Sequence, residues 1–354
     1  MLKIMGMLDP HTHLRDLDWA HKATFTSETR AAIAGGYTAV FDMPNTPPNT
    51  TSKTNLQTKL DKLDAGALCD YGVYFGASQD DNTAEYAGLS GVCGLKIFCN
   101  DTTGNLLVES VEDQQKHIAA WQTGRVISVH AEGETVEQIL KIVREQRKHV
   151  QFLHISTADE IKMLRAAKAD GLPVSIGVCP HHLYLTQDDL PALGPLGLMK
   201  PELKTKADRD ALWQALQAGV VDVIESDHAP HTLAEKHNDE GKPVYGVPGL
   251  ETTLPLMLLA VEENRLQMQQ IPDLLAANPR RIFGVAAHAD TYTIVDPDAA
   301  CTIENTNLHT QSGWSPFAGM RVYGAVREVW IRGTQVYDGE NFIVEPGFGE
   351  NLFV

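Results

Sequence analysis

Eight short apolar segments, most of them separated by helical patterns, constrain the fold of this chain more than any other feature. The helical patterns often end at glycine, which is the usual residue after a helix. The predicted strands are 4–8, 38–43, 71–75, 94–98, 126–129, 151–155, 173–178 and 220–225. This alternation favours a parallel sheet, and eight units predict a closed (β/α)8 barrel of the α/β class. An open doubly wound sheet is the alternative, although no GxGxxG follows the first strand.

The last part of the chain has a different pattern. Helical patterns at 256–261 and 271–276 are followed by short strand patterns at 292–295, 300–303, 323–332 and 335–337. Gly333 and the pair Asp338-Gly339 supply turn signals between these strands. We therefore predict a barrel over residues 1–288 and a small β appendage over residues 289–354. Few residues precede the first motif, so we expect the appendage to come mainly from the C-terminal tail.

Composition excludes several classes of protein. The 354 residues are 43% hydrophobic, which suffices for a large core, and the net charge of −17 disfavours nucleic acid and anionic lipid as partners. No apolar run approaches the roughly 20 residues of a membrane-spanning helix, and no secretory signal precedes the first motif. The five cysteines are scattered without a CxxC pair, which favours a reducing compartment and a cytoplasmic location.

Histidines and an aspartate recur where the predicted strands end. His11 and His13 lie two residues apart, so an extended strand would point both imidazoles to one side. His130, His154 and Asp227 follow three other predicted strands. Because the carboxyl ends of barrel strands meet at one mouth, we expect these side chains to converge there and to hold a transition metal.

The number of these side chains suggests two metal ions. Four histidines and one aspartate exceed the three protein ligands of a mononuclear catalytic zinc, and two neighbouring cations need an anion between them. Lys96 lies within the fourth predicted strand, 94–98, and a neutral, desolvated amine there could react with CO2 to form an anionic carbamate. The alternative is an ordinary lysine at the surface or beside a carboxylate.

Eight motifs keep a fixed order from residue 9 to about residue 285. They are Asp9-Pro-His-Thr-His-Leu-Arg15, Met43-Pro-Asn-Thr46, Gly94-Leu-Lys96, Val129-His-Ala-Glu132, Leu153-His-Ile155, Pro180-His-His182, Ser226-Asp-His-Ala-Pro-His231 and Pro248-Gly-Leu-Glu251. With them the chain resembles the cyclic amidohydrolases. Within that group it resembles the dihydroorotases, particularly the type carried by the multifunctional animal pyrimidine enzyme.

The resemblance implies a centre of two Zn²⁺ ions. Its metal ligands would be His11, His13 and Asp227 at one ion and His130 and His154 at the other. A carboxylated Lys96 and a hydroxide would bridge the two ions.

The resemblance also implies a substrate site and a reaction. Arg15 and Asn45 would bind the carboxylate of the ring, assisted by His231, and Thr102 would reach the substrate from a mobile loop, although a plain loop is the alternative. The hydroxide would attack the ring amide, and Asp227 would carry its proton to the leaving nitrogen. In reverse this is the cyclisation of N-carbamoyl-L-aspartate to L-dihydroorotate in de novo pyrimidine synthesis.

The chain departs from the family pattern at two places. Gly177 stands where the animal type has an acidic residue, so an additional metal contact there is expected to be lost. Lys200 begins a motif that usually begins with arginine, which keeps the charge but not the bidentate geometry. The polar segment 238–246 is either a rim loop over the pocket or an exposed connection.

Two other functions compete with this interpretation. A hydantoinase or allantoinase would share the metal ligands but need a different ring pocket. An inactive homologue would act as an assembly partner of aspartate transcarbamoylase or of a scaffold. The resemblance is compatible with a homo-oligomer and with association with aspartate transcarbamoylase.

Overall fold

The computed structural model describes residues 1–238 and 241–354. Its strands are β1 (Leu2–Met5), β2 (Leu8–Thr12), β3 (Ala39–Asp42), β4 (Asp70–Gly76), β5 (Gly94–Phe98), β6 (Val126–His130), β7 (Val150–Phe152), β8 (Val174–Val178), β9 (Val223–Ile224), β10 (Tyr292–Thr302), β11 (Arg321–Ile331) and β12 (Thr334–Tyr337). They form an eight-stranded parallel sheet and a four-stranded antiparallel sheet.

Helices fill most of the connections between the barrel strands. They are α1 (Phe25–Ala34), α2 (Lys53–Gly66), α3 (Val111–Ala120), α4 (Glu134–Gln146), α5 (Ala158–Ala169), α6 (Pro180–Tyr184), α7 (Leu190–Leu193), α8 (Lys206–Gln217), α9 (Leu233–Lys236), α10 (Leu250–Glu262), α11 (Gln270–Pro272) and α12 (Asn278–Phe283). Short 3₁₀ turns lie at Thr83–Tyr86, Gln187–Asp189, Gly194–Gly197 and Asn305–Asn307, and a π-helical turn lies at Asp273–Ala277. In the part of the chain that the structure describes, no helix is long and apolar enough to cross a membrane.

The parallel sheet curls into a nearly closed barrel, as the sequence predicts. Its strands follow one another from β2 to β9 in chain order. The two edges meet at Thr12 and His228, which form a parallel bridge, and the backbone N–H of His13 donates to the carbonyl of His228 at 2.7 Å. The open doubly wound sheet is therefore wrong.

The predicted first strand, 4–8, is wrong in its bounds. The chain turns at Gly6, where φ is +54°, so β1 ends at Met5 and β2 begins at Leu8. Glycine is needed there because a Cβ would lie 2.6 Å from the guanidinium of Arg280, whose Nε donates to the Gly6 carbonyl. A pattern of apolar residues alone does not reveal this turn.

The antiparallel sheet has the order β1-β10-β11-β12. Three of its strands lie after residue 289, and the fourth, β1, joins from the N-terminal end through the pair Leu2 and Val295. The two strands predicted at 292–295 and 300–303 are one strand, β10, with an irregular register between Asp296 and Ala300. The division of the chain at residues 288 and 289 stays a prediction.

An apolar cluster closes one end of the barrel. Leu8, Ala39 and Val126 are the first residues of their strands and pack together with Phe283 and Phe353. Apolar packing at the amino-terminal ends of the strands leaves the carboxyl-terminal mouth as the place for polar chemistry.

Candidate active site

A small cavity lies at the carboxyl ends of the barrel strands. Its lining residues are His11, His13, Arg15, Asn45, Lys96, Phe98, Thr102, Thr103, His130, His154, Lys200, Asp227, Ala229, Tyr245 and Gly246. Every predicted site residue lines this cavity except His231, whose Nε2 lies 3.2 Å from a guanidinium nitrogen of Arg15. Residues far apart in the chain therefore converge on one space.

The carboxylate of Asp227 lies between the two histidines of the first motif. Its Oδ1 is 3.1 Å from Nε2 of His11 and 3.2 Å from Nε2 of His13. The ring of His154 lies 5.2 Å from that of His11 and 4.5 Å from that of His130, measured between centroids. The two predicted groups of ligands are thus direct neighbours.

Several polar atoms in this cavity are buried without a hydrogen-bond partner among the described residues. They include Nζ of Lys96, Nδ1 of His154 and Nη1 of Arg15. Buried polar groups are normally paired, so a cluster of unpaired ones indicates a site for a bound group. His11, His154 and Asp227 offer ligand atoms within 4.8 Å of one another. Imidazole nitrogen and carboxylate oxygen are zinc ligands, so these residues fit a metal.

Burial keeps most of the imidazoles in the neutral form that binds metals. It lowers the pKa of His13 to about 3 and lowers the pKa of His130 and His154 as well. Burial also acts to lower the pKa of His11, but the carboxylate of Asp227 outweighs it and the value rises to about 9. A cation bound between His11 and Asp227 would take the place of that proton.

Lys96 is fully buried within β5, so its alternative as a surface lysine is wrong. Among the described residues it has no carboxylate within ion-pair distance, and its Nζ lies 4.6 Å from the ring centroid of Phe98. Burial lowers its pKa to about 8, so about a tenth of the amine is neutral at pH 7. A neutral amine is the form that reacts with CO2.

Arg15 is buried with one side of its guanidinium anchored and the other free. Its Nε donates to the carbonyl of Pro230 at 3.1 Å, whereas Nη1 has no hydrogen-bond partner among the described residues. A planar guanidinium with an unpaired donor in a cavity suits a carboxylate. This geometry fits an anionic ligand.

Arg15 lies in a turn after β2, so the alternation of side chains along an extended strand does not explain why it faces the cavity. The strand β2 ends at Thr12, and Arg15, Asp16 and Leu17 all have positive φ values of 49° to 63°. The carboxylate of Asp16 holds this turn by accepting from the backbone N–H groups of Leu17 and Phe25. His154 also has a positive φ, of 37°, and Asp227 has one of 45°. Such strained backbone clusters at functional sites.

Asn45 has both ends of its amide engaged within the protein. Its Oδ1 accepts from Nδ1 of His13 at 2.8 Å, which leaves Nε2 of that ring facing Asp227. Its Nδ2 donates to the carbonyl of Thr103 at 2.8 Å. The structure thus places Asn45 as an orienting residue for His13 as well as a residue of the cavity wall.

The loop that contains Thr102 lies over the cavity. The neighbouring Thr103 donates from Oγ1 to the carbonyl of Tyr245 at 3.0 Å, so this loop and the segment before Val247 are joined. Of the predicted rim segment 238–246, residues 239 and 240 lie outside the described residues, and Tyr245 and Gly246 line the cavity.

The sequence analysis did not identify the residues that contact the histidines of the site and orient them. Nζ of Lys22 lies 3.2 Å from Nδ1 of His231, and Nε2 of that ring lies 3.0 Å from the carbonyl of Tyr245. Glu132 lies 3.1 Å from Nε2 of His130, and Glu225 contacts both His11 and His154. Glu132 stands within a quoted motif, but no pattern in the sequence indicates Lys22 or Glu225.

A barrel with imidazoles, a carboxylate and a buried amine at its carboxyl mouth defines the class of barrel hydrolases that hold a metal there. The chain belongs to the amidohydrolase family, whose model matches residues 2–336. This match confirms the resemblance to the cyclic amidohydrolases and the prediction of a hydrolase.

Comparison with individual proteins shows which members of the family the chain resembles. The chain is 39% identical over 353 residues to the multifunctional protein CAD of Squalus acanthias, and the match covers 99% of this chain and 16% of that protein. It is 34% identical over 370 residues to a dihydroorotase of Halobacterium salinarum, covering 95% of this chain and 86% of the relative. The predicted resemblance to dihydroorotases is thus confirmed.

A solved structure agrees with the fold. The L-hydantoinase (dihydropyrimidinase) from Arthrobacter aurescens superposes with a TM-score of 0.92 at 25% identity, covering 99% of this chain and 88% of the other. The barrel and its added sheet are therefore an architecture that is already known in this family.

Proposed function

We propose that this chain is a zinc-dependent dihydroorotase that interconverts N-carbamoyl-L-aspartate and L-dihydroorotate. The observation that carries the choice of substrate is the unpaired Nη1 of Arg15 in the cavity that contains the metal ligands. A buried guanidinium N–H without a hydrogen-bond partner is unfavourable, and a carboxylate on the substrate would pair with it. Neither hydantoin nor allantoin carries a ring carboxylate.

The residues of the cavity divide into two groups of ligands. His11, His13 and Asp227 would hold one zinc ion, and His130 and His154 would hold the second. Lys96, once carboxylated, would supply the anion between them. When bound, the metal pair supplies Lewis acidity that activates water and polarises the amide carbonyl.

The side chains of the protein then bind the substrate and move one proton. Arg15 holds the ring carboxylate, so the amide lies within reach of Asp227. Burial opposes the ionisation of Asp227, but His11 and His13 hold its pKa well below its usual range, so the side chain is a carboxylate, the form that can accept a proton. In ring opening Asp227 accepts the proton of the attacking water and delivers it to the leaving nitrogen, and in ring closure the proton moves the other way.

The proposal extends to the place of the chain in the cell. It assigns the chain to de novo pyrimidine synthesis in the cytoplasm, as a homo-oligomer or in association with aspartate transcarbamoylase. All five cysteines are free, which supports a reducing compartment.

The test compares ring substrates on one purified, zinc-loaded sample. We expect turnover of dihydroorotate and carbamoyl-aspartate, little or none of hydantoin and allantoin, and about two zinc ions per chain. Faster turnover of hydantoin or allantoin would favour the second candidate, a hydantoinase or allantoinase, which the high structural similarity to a hydantoinase supports. A chain with neither zinc nor turnover would instead be an inactive assembly partner.

A further inference from the structure

Glu225 is a fully buried carboxylate that directly follows β9. Its Oε1 accepts from the backbone N–H of His154 at 2.5 Å and lies 3.6 Å from Nδ1 of His11. Its Oε2 has no hydrogen-bond partner in the described part of the chain. Glu225 therefore touches one histidine from each of the two groups of metal ligands.

The space that this carboxylate fills exists because the neighbouring strand carries a glycine. A Cβ built on Gly177 of β8 would lie 2.4 Å from Oε1 and 2.7 Å from Oε2 of Glu225. No real Cβ approaches oxygen so closely, so a side chain at residue 177 and the present position of Glu225 exclude each other. A carboxyl group can thus reach this space from β9 or from β8, but not from both.

We infer that Glu225 is a positioning residue of the metal centre. Histidines that bind metals commonly donate their other ring N–H to a carboxylate, which fixes the tautomer and the ring orientation. Nε2 of His11 faces Asp227, and Nδ1, which has no hydrogen-bond partner among the described residues, lies 3.6 Å from Oε1 of Glu225. A small shift of the ring would let Nδ1–H donate to Glu225 and would direct the Nε2 lone pair towards the metal position. His13 is oriented in the same way by the amide of Asn45.

The same carboxylate supports His154. The backbone of this residue is strained, with φ of 37°, and its N–H is bonded to Glu225. A charge-assisted hydrogen bond to the peptide stabilises that conformation and so the direction of the imidazole. This role rests on the proposed function, because it requires a metal between these histidines.

The experiment measures zinc affinity without substrate, by competition with a chromophoric chelator. We expect E225Q and E225A to lose about 10- to 100-fold in zinc affinity, with E225A the weaker. E137Q, which removes an exposed carboxylate from α4, is the matched control and should bind as the wild type does.

A double variant tests the position of the carboxylate. G177E alone should weaken zinc binding, because two carboxylates would compete for one space. The double variant G177E/E225A places a carboxyl group in the same space from β8. We expect its zinc affinity to be at least tenfold higher than that of E225A. Wild-type affinity in E225Q, or no recovery in the double variant, would overturn the role of Glu225.

The outcomes separate the role of Glu225 from the proposed function. If circular dichroism shows that E225A does not fold, the zinc affinities of E225Q and of the double variant test the role of Glu225. If the wild type binds zinc but does not turn over dihydroorotate, the function fails while a weakened E225Q still supports the role of Glu225. A wild type that takes up no zinc overturns both.

Discussion

Several residues of the site are held by contacts on the side away from the cavity. His13 presents Nε2 to Asp227 while Asn45 fixes its Nδ1, and His231 is fixed by Lys22. The convergence of the proposed metal ligands on one cavity could be predicted from sequence, because coordination chemistry restricts such ligands to a few residue types at strand ends. Supporting residues such as Lys22 could not, because any polar side chain of suitable length can fill that place.

At this scale the clearest test of the mechanism is Asp227→Asn. The amide keeps the size of the side chain but cannot accept the proton, so we expect kcat to fall by about 10²- to 10⁴-fold. The control is D188N, which changes an exposed aspartate. In the metal-free state, the melting temperature of D227N should be close to that of D188N. Substantial turnover by D227N would refute the assignment of this residue.

Arg15→Lys tests the recognition of the substrate carboxylate. Lysine keeps the charge but loses the forked donors, so we expect KM for dihydroorotate to rise about 10- to 100-fold with a smaller change in kcat. Steady-state kinetics on dihydroorotate checks this expectation. An unchanged KM would show that another residue binds the carboxylate.

Among the elements, the strands and their order were predictable, but several boundaries were not. Seven barrel strands, β3 to β9, overlap the predicted apolar runs, because strands buried on both faces must be largely apolar, whereas β2 shares only Leu8 with the predicted run 4–8. The helix α10 begins at Leu250, six residues before the predicted start at residue 256, and contains Pro255 in its second turn. Proline suggests a helix start, but the buried apolar face of α10 outweighs the lost hydrogen bond. Tertiary packing of this kind is not visible in a local pattern.

The loop over the cavity offers a test at the scale of one element. Thr103→Val keeps the shape of the side chain and removes its hydrogen bond to Tyr245. We expect hydrogen exchange of residues 101–105 to speed up by about 2- to 10-fold, which corresponds to one net hydrogen bond. T83V, which removes an exposed threonine contact with Asp81, is the control. Unchanged exchange in T103V would mean that other contacts hold the loop.

At the scale of the whole molecule, the barrel buries an unusual number of imidazoles. Burial lowers the pKa of eight imidazoles, namely His13, His117, His130, His149, His154, His181, His182 and His231. For His13 and His231 the value falls to about 3. The folded protein therefore keeps these groups neutral at a pH where the unfolded chain protonates them.

Stability should therefore depend on pH. Below the ordinary histidine pKa of about 6.5 the unfolded state binds more protons, so the free energy of unfolding falls as pH falls, by up to about 1.4 kcal/mol per pH unit for each such group. Burial raises the pKa values of the carboxyl groups of Asp9, Asp42 and Asp70. These three groups make the free energy of unfolding rise as pH falls, but they are fewer than the histidines. We expect the urea midpoint of the metal-free protein to be lower at pH 5 than at pH 7. An equal or higher midpoint at pH 5 would contradict this.

The seam between Thr12 and His228 has a consequence for biosynthesis. Asp227 directly precedes His228, where the two edges of the barrel are joined. The segment after the last barrel strand therefore completes both the barrel and the proposed set of metal ligands. A chain emerging from the ribosome exposes His11 and His13 more than 200 residues before their carboxylate partner is made. During translation, the proposed set of ligands would therefore be complete only after residue 228 has left the exit tunnel.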